Sequence, residues 1–346
     1  MKSLVRFKLH VLSPIHIGCD DVYEPTSFVI DDKKGELIEF DPIDFVRALN
    51  EKQREEFIRV CSRESLLSVI KFVKANYNPK IGGRKVEVAQ GVIEHYKKVL
   101  NLSSFDKKTI INQFTINKTS YNVQTNKPYI PGSSIKGSIR TAYLNILAKR
   151  AEIRNFWESS NLLSRQDLEN SEITYRQIGK KQISKKLEQK LLKGEFSNDP
   201  FRMLKVSDFL PVGEVKTKIV YAVNRKKERI SGETLAEKGG VYQIFEVIKP
   251  GSVFEGFISI EQPLEGSGIL EPLNFENLFS SLHSFYAGNL NREVKPLNEV
   301  LKIKHQAGID ANTKFKDKFK KDAFLIRIGR HSGAEAVTIE GNRHIK

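Results

Sequence analysis

The sequence predicts an α+β protein of two domains, on three observations. The chain has 346 residues, more than one hydrophobic core usually serves, so two domains of about 150 residues each are expected. Near its start Val5, Phe7, Leu9 and Val11 interleave with Arg6, Lys8 and His10, the period of two that marks a strand with one buried and one basic face. Further strand-like segments are separated by charged segments of helical spacing, so both element types recur along the chain.

From Phe28 to Phe40 two short apolar runs flank Asp31-Asp32-Lys33-Lys34-Gly35, whose glycine can supply the positive φ of a hairpin turn. Asp41-Pro42 reads as N-cap and first residue of a helix carrying Phe45, Val46 and Leu49. Residues 51–76 and 86–101 are expected to be helical, because Phe57, Leu66, Leu67, Val69, Ile70 and Val73 recur at three- and four-residue spacings. Strand-like text returns at 110–130, before Pro131-Gly132. A second helix-rich stretch runs from about Thr141 to Lys193 and ends at Gly194 and the turn Ser197-Asn198-Asp199-Pro200. The domain boundary is expected there, giving domains 1–195, with helical insertions at about 51–105 and 150–195, and 196–346.

The second half begins with strand-like 215–223, 241–248 and 252–261, the first two joined by the basic Asn224-Arg225-Lys226-Lys227-Glu228-Arg229 as the tip of a long hairpin. Near the end, Phe324–Ile328 is expected to be a strand, Gly329-Arg330-His331-Ser332-Gly333 a turn, and Ala336–Ile339 a return strand.

Lys and Arg number 57 against 42 Asp and Glu, a formal charge of +15 that attracts polyanions, so nucleic acid is the leading partner class. No membrane partner is expected: no segment approaches about 20 apolar residues, and a basic amphipathic surface helix would want more than the single tryptophan, Trp157. The start, MKSLVRFKLHVL, lacks the apolar core of a signal peptide. Two cysteines, Cys19 and Cys61, offer neither a disulfide framework nor zinc spacing, which fits a cytoplasmic protein.

The most informative motif is Tyr129-Ile130-Pro131-Gly132-Ser133-Ser134-Ile135-Lys136-Gly137-Ser138-Ile139-Arg140. Pro and Gly make a turn, Ser133 or Ser134 can cap, and Ile135, Ile139, Tyr143, Ile146 and Leu147 mark a buried stripe. Lys136 and Arg140 share another face near the helix start, where free N–H groups and the dipole favour phosphate. The other reading is an ordinary capped helix with two solvated charges. A Walker A loop fits poorly, since Ser138 stands where its lysine belongs.

The loop after the first strand holds His16, Gly18, Asp20 and Asp21. His16 can contact phosphate or act as acid or base, and the aspartates can hold a metal or activate a 2′-hydroxyl; His16 can equally satisfy a backbone carbonyl. Residues 301–330 carry nine Lys/Arg against three Asp, a net +6, with Phe315 and Phe319 read as core anchors among Lys314, Lys316, Lys318, Lys320 and Lys321. In Gly329–Gly333 an arginine and a histidine share one tight turn with exposed N–H groups, the makings of a phosphate nest. Arg343, His344 and Lys346 extend the charge to the end of the chain.

Leu12–Gly18, Ile130–Arg140 and the glycine-rich C-terminal loop, in that order, resemble the RAMP superfamily of CRISPR proteins. Val22–Asp31, Asp199-Pro200-Phe201-Arg202 with Val206-Ser207-Asp208, and Arg327–Glu335 are similar to the fifth-subunit family of type III-A (Csm) effectors. The resemblance implies two ferredoxin-like (RRM-like) domains, each a βαββαβ sheet with helices on one side. It further implies an RNA-binding structural subunit, without cofactor, that caps the filament where the 3′ portion of the CRISPR RNA emerges. Its implied partners are CRISPR RNA, the other Csm subunits, especially the repeated backbone subunit, and host nucleases that mature the RNA 3′ end. Carried over as RNA contacts are His16, Gly18, Gly132, Ser133, Ser134, Lys136, Arg140, Arg330 and His331. The helical insertions are outside the family pattern and are expected to touch neighbouring subunits.

An alternative function is a RAMP endoribonuclease that processes CRISPR RNA or cleaves target RNA, with His16 or His331 as acid or base, or with Asp20 or Asp21 and a metal. No HExxH or HxxxH pair occurs among the seven histidines, and the leading expectation is a non-catalytic subunit.

Overall fold

The computed structural model describes residues 3–102, 112–153, 180–222, 242–299, 313, 317, 319 and 323–341. In chain order the strands are β1 (Ser3–His10), β2 (Gly18–Tyr23), β3 (Phe28–Asp31), β4 (Glu36–Glu39), β5 (Arg84–Val88), β6 (Ile116–Thr119), β7 (Tyr121–Asn122), β8 (Lys127–Pro128), β9 (Leu204–Val206), β10 (Leu210–Pro211), β11 (Thr217–Ala222), β12 (Gln243–Ile248) and β13 (Val253–Ile260). The helices are α1 (Pro42–Ala48), α2 (Glu51–Cys61), α3 (Leu66–Asn76), α4 (Gln90–Leu100), α5 (Gly132–Arg150), α6 (Lys180–Leu192) and α7 (Phe275–Glu299). The protein is α+β.

Two compact units share this chain, and they do not divide it at residue 195. Unit one comprises Met1–Ser13, Tyr129–Val212 and Val253–Lys346; unit two comprises Pro14–Pro128 and Gly213–Ser252. The reason is strand pairing: β1, from the start of the chain, runs antiparallel to β13 over its full length, from Ser3↔Ile260 to His10↔Val253. A core that recruits strands 250 residues apart cannot be bounded by a local turn, however strong the turn signal at 197–200.

In unit one β13 is the central strand, with β1 on one side and β9 and β10 on the other. The alternation in β1 is kept, although its apolar face is only half-buried at Phe7 and Leu9 and Val5 is 38% exposed. Phe7 meets the rings of Phe279 (5.2 Å) and Phe324 (6.0 Å), while Arg6, Lys8 and His10 are exposed. Gly256, opposite Phe7, is small because the Phe209 ring lies where a Cβ would stand. Helix α5 buries Ile135, Ile139, Ala142, Tyr143 and Ala148 and packs on α7, which buries Leu278, Leu282, Phe285 and Tyr286. Taken in order, β1, α5, β9, β13 and α7 give the first five elements of the expected βαββαβ half.

The sixth element differs from expectation. Residues 323–328 form no strand, and Ala334–Ala336 is a turn of 3₁₀ helix in place of a return strand. Gly329 (φ 98°), His331 (φ 67°) and Gly333 (φ 83°) have positive φ at alternate positions, which coils the backbone tightly. Ser332 then closes the coil by donating its hydroxyl to the Gly329 carbonyl at 2.7 Å. Phe324 still stacks on Phe279 at 4.5 Å, so the segment is anchored by its ring.

Unit two carries a seven-stranded mixed sheet, ordered β2-β6-β12-β11-β5-β4-β3, wider than the four strands of a ferredoxin-like half. The extra width comes from the β3–β4 hairpin, whose turn is held by Asp31 Oδ1 accepting the Lys33 and Lys34 N–H groups and by Gly35 at φ 66°. Its second strand continues onto β5. Residues 84–88 therefore belong to the sheet, although the expected helical insertion ran through them; Val86 and Val88 alternate with Lys85 and Glu87 and face the core. Asp41 caps α1 through the Ile43 N–H at 2.8 Å with Pro42 following it, and Phe45 is buried. The hairpin β11–β12 pairs as the sequence predicts; its basic tip, 224–229, lies outside the described residues.

Candidate nucleic-acid interface

The start of α5 is built by a close backbone approach. A Cβ at Gly132 would overlap the carbonyl oxygens of Val206 and Ser207, so only glycine lets the helix begin there. That closeness lets the Gly132 N–H donate to Asp208 Oδ1 at 2.8 Å, while Ile130 and Phe209 exchange two backbone bonds at 3.0 and 2.8 Å beside it. The capping carboxylate thus comes from 76 residues away, whereas Ser133 and Ser134 were expected to cap. Asp208 takes the place at the positive end of α5 where an anion is favoured.

The two cations of the motif also have partners within unit one. Lys136 Nζ donates to the Leu204 carbonyl at 2.8 Å, and burial, followed by the neighbouring charge of Lys205, lowers its pKa. Arg140 donates from Nε and Nη2 to Glu188 Oε2 at 3.2 and 2.8 Å and pairs through Nη1 with Asp199 Oδ2 at 2.7 Å. Its guanidinium lies 5.1 Å from the centre of the Phe201 ring. These residues hold α5 against α6 and the 199–206 segment. Ser133 remains exposed and Ser134 half-buried.

The same helix is joined to the glycine-rich loop. Ser138 Oγ donates to the Arg327 carbonyl at 2.7 Å, and its own carbonyl accepts the Tyr286 hydroxyl at 3.1 Å. Arg327 in turn pairs with Glu293 on α7. Arg330 and His331, both exposed, follow directly; burial and then the adjacent Arg330 charge lower the His331 pKa below its usual 6.5. Unit one therefore unites Gly132–Arg140 with Arg330 and His331.

His16, Gly18, Asp20 and Asp21 belong to unit two. His16 is 4% exposed; its Nδ1–H donates to the Glu246 carbonyl at 2.8 Å, and its ring lies 4.7 Å from that of Phe245. Gly18, Asp20 and Asp21 are exposed on β2, with Asp20 at φ 58°. Asp21 ends a chain of charges that sequence reasoning missed. Glu246, wholly buried on β12, accepts from Arg84 and from the Tyr121 hydroxyl at 2.7 Å. Arg84 also reaches Glu39 (3.7 Å), Glu39 binds Lys118 (2.7 Å), and Lys118 binds Asp21 (3.4 Å). Arg84 lies 3.8 Å over the Tyr121 ring. Burial opposes the Arg84 charge, but Glu246 and its anionic neighbours outweigh it and raise its pKa. This is an interstrand clamp spanning β2, β6, β12, β5 and β4. Among the described residues no group of three or more His, Cys, Asp or Glu side chains could hold a metal.

Other basic positions fall outside the described residues: Lys314, Lys316, Lys318, Lys320 and Lys321, with Phe315, and the terminal Arg343, His344 and Lys346. Phe319 is described: it is half-buried, and its ring meets His283 on α7 at 5.4 Å.

Asp199 and Asp208 sit in the stretch whose wording resembles type III-A fifth subunits, and here they bind Arg140 and Gly132. A model of the RAMP superfamily matches residues 8–308, most of the chain. The chain belongs to the RAMP superfamily. Among curated RAMP relatives, a Csm5 protein of Methanocaldococcus jannaschii, described as part of a CRISPR system, is 28% identical over 211 residues. The match takes in 60% of this chain and 44% of the relative, so the chain spans under half of that protein's length.

Solved structures carry the RAMP fold over nearly the whole chain. One chain of a type III-A Csm–crRNA–target RNA ternary complex superposes with a TM-score of 0.56 at 17% identity, covering 96% of this chain and 86% of that one. T. onnurineus Csm5 superposes with a TM-score of 0.53 at 16% identity, covering 95% and 91%. At these identities the likeness is one of fold. No helix among the described residues is long and apolar enough to cross a membrane.

Proposed function

We propose that this RAMP protein is the Csm5-type subunit of a type III-A CRISPR effector, holding the 3′ side of the CRISPR RNA at the end of the protein filament. The observation that carries the reading is the fold match to Csm5 over 95% of the chain, joined to sequence similarity with a second Csm5. The formal charge of +15 supplies a sequence-independent grip on phosphate. Its role is structural and supports RNA maturation, with the repeated backbone subunit as neighbour and host nucleases as recruited partners.

The site geometry favours some contacts over others. Arg330, His331 and Ser133 are exposed and can meet phosphate directly. Gly132, Lys136 and Arg140 serve as the frame that presents them, since each is engaged inside unit one. The burial of His16 and its bond to the Glu246 carbonyl support the non-catalytic reading over an endoribonuclease using that histidine.

The test is binding of a labelled single-stranded RNA, carrying a CRISPR-repeat tag and a free 3′ end, to the full chain across a salt series. The expected result is binding that falls steeply with salt, is indifferent to spacer sequence, and leaves the RNA intact with and without Mg²⁺. Discrete cleavage products lost in Asp21→Ala or His331→Ala establish the endoribonuclease instead. Absence of binding at low salt removes the RNA-grip reading.

A further inference from the structure

The sheet of unit one has two faces of different character. Val5, Phe7 and Leu9 on β1 lie opposite Ile258, Gly256 and Phe254 on β13, and Phe7 meets the α7 side through Phe279. The other face carries Leu4, Arg6, Lys8 and His10 opposite Ser259, Phe257, Glu255 and Val253. That face is open over most of its length: Leu4 is 61% exposed, Phe257 43%, and Leu210 and Val212, at its far edge, 52% and 43%, while Ser259 is buried.

On the central strand Phe257 is 43% exposed to water, in the middle of this face. Phe257 has no ring or cation–π partner among the described residues, and its backbone is fixed by a single neighbour, Ser207. Its N–H donates to Ser207 Oγ at 2.8 Å, and its carbonyl accepts the Ser207 N–H at 2.9 Å. The ring is thus displayed on a rigid support. Its cross-strand neighbour is Arg6, whose guanidinium is set by Glu255 at 3.5 Å, with a side chain 64% exposed. Lys8 and His10 continue the row on β1, and Lys205 lies on the opposite side of β13, across from Ser259.

We propose that this open face is a single-stranded RNA subsite, in which Phe257 stacks a base and Arg6 and Lys8 hold the flanking phosphates. The inference rests on the RNA-binding reading above and adds a second surface to it. The charge pattern selects the occupant: one lone aromatic flanked by cations on both neighbouring strands matches a chain of bases and phosphates. Aromatic side chains displayed on an open sheet face are one way RNA-recognition folds hold unpaired bases, and stacking tolerates any base. A protein partner would instead call for a continuous apolar patch, whereas here Leu4 on one edge is separated from Leu210 and Val212 on the other by Arg6, Lys8 and Glu255.

The experiment uses the full chain and a fluorescein-labelled single-stranded oligouridine, with thermal unfolding to verify the fold of each variant. Phe257→Ala is expected to weaken binding about tenfold, and Phe257→Tyr to stay within about twofold of the parent. The pair Arg6→Gln, Lys8→Gln is expected to flatten the log–log salt slope by about 1.4, the loss of two phosphate contacts on a single strand. A Phe257→Trp variant is expected to show emission quenched by the RNA beyond that of the parent, a sign of stacking that a structural role would not give. If Phe257→Ala and the cation pair bind like the parent while Arg330→Gln weakens binding, RNA binding stands and the sheet-face subsite is overturned. If the parent itself fails to bind RNA at low salt, both are overturned.

Discussion

Ser138 on α5 donates its hydroxyl to the Arg327 carbonyl at 2.7 Å, across 189 residues of sequence. Through this bond the helix that opens at Gly132 and the loop bearing Arg330 and His331 become one surface. The hydroxyl also lies 3.2 Å from the Ser134 carbonyl, so it bridges the first turn of the helix and the approach to the loop.

Removing that hydroxyl should loosen the loop more than the fold. Ser138→Ala is expected to cost about 1 kcal/mol, the net worth of one hydrogen bond whose acceptor loses its donor. Amide hydrogen exchange at residues 329–333 should speed up while that of β13 stays protected. Unchanged exchange in the loop would show that Phe324 stacking alone holds it.

The cap on α5 gives a second prediction. Asp208→Ala should destabilise the protein by about 1 kcal/mol in chemical denaturation, the usual cost of losing an N-cap acceptor. Asp208→Asn, which keeps an acceptor oxygen, should recover much of it. Gly132→Ala should be worse than either, about 1–3 kcal/mol, because its Cβ meets the Ser207 carbonyl oxygen at 2.6 Å and backbone must move.

In unit two the Glu246–Arg84 pair should be the costliest to break. Glu246 is wholly buried and its removal leaves Arg84 without its innermost counter-charge. Glu246→Gln is expected to lower stability by about 3–5 kcal/mol, measured by urea unfolding. Asp21→Asn, at the exposed end of the same chain of charges, should cost less than about 1 kcal/mol. Equal effects at both positions would contradict the burial argument.

His331 supplies a pH test. Its folded pKa lies below 6.5, first through burial and then through Arg330. The unfolded chain therefore binds more protons than the folded one as pH drops below that value. The stabilisation is complete above about 6.5 and is lost as pH falls through the folded pKa. NMR titration should place the His331 midpoint under 6.5, and Arg330→Gln should move it upward. A midpoint that does not respond would leave burial as the whole cause.

Much was legible in the sequence. The period of two in β1, the Asp41-Pro42 helix start, the β3–β4 turn and the β11–β12 hairpin all depend on neighbours within a few residues, where sterics and local hydrogen bonds decide the outcome. The superfamily was legible too, because its glycine-rich turns are short segments whose backbone demands are local. Strand β5 was lost to a helical reading because five residues give too little periodicity to outweigh the helices beside it. The expected C-terminal hairpin does not form, because residues 323–328 pair with no strand and the chain after Gly333 winds into a 3₁₀ turn at Ala334–Ala336, an outcome that depends on partners far away in sequence.

What the sequence determined by itself was the α+β class, the surplus of positive charge and the local shape of its turns. Only the tertiary structure decided which residues became partners. Asp208 closing the start of α5, Asp199 and Glu188 engaging Arg140, and Glu246 holding Arg84 all join positions tens to hundreds of residues apart. Such pairings leave no spacing signature, because they follow from how strands such as β1 and β13 are brought together. The interleaving of the two units has the same origin: a hydrophobic core gathers whichever strands bury their faces best, and chain order does not limit the choice.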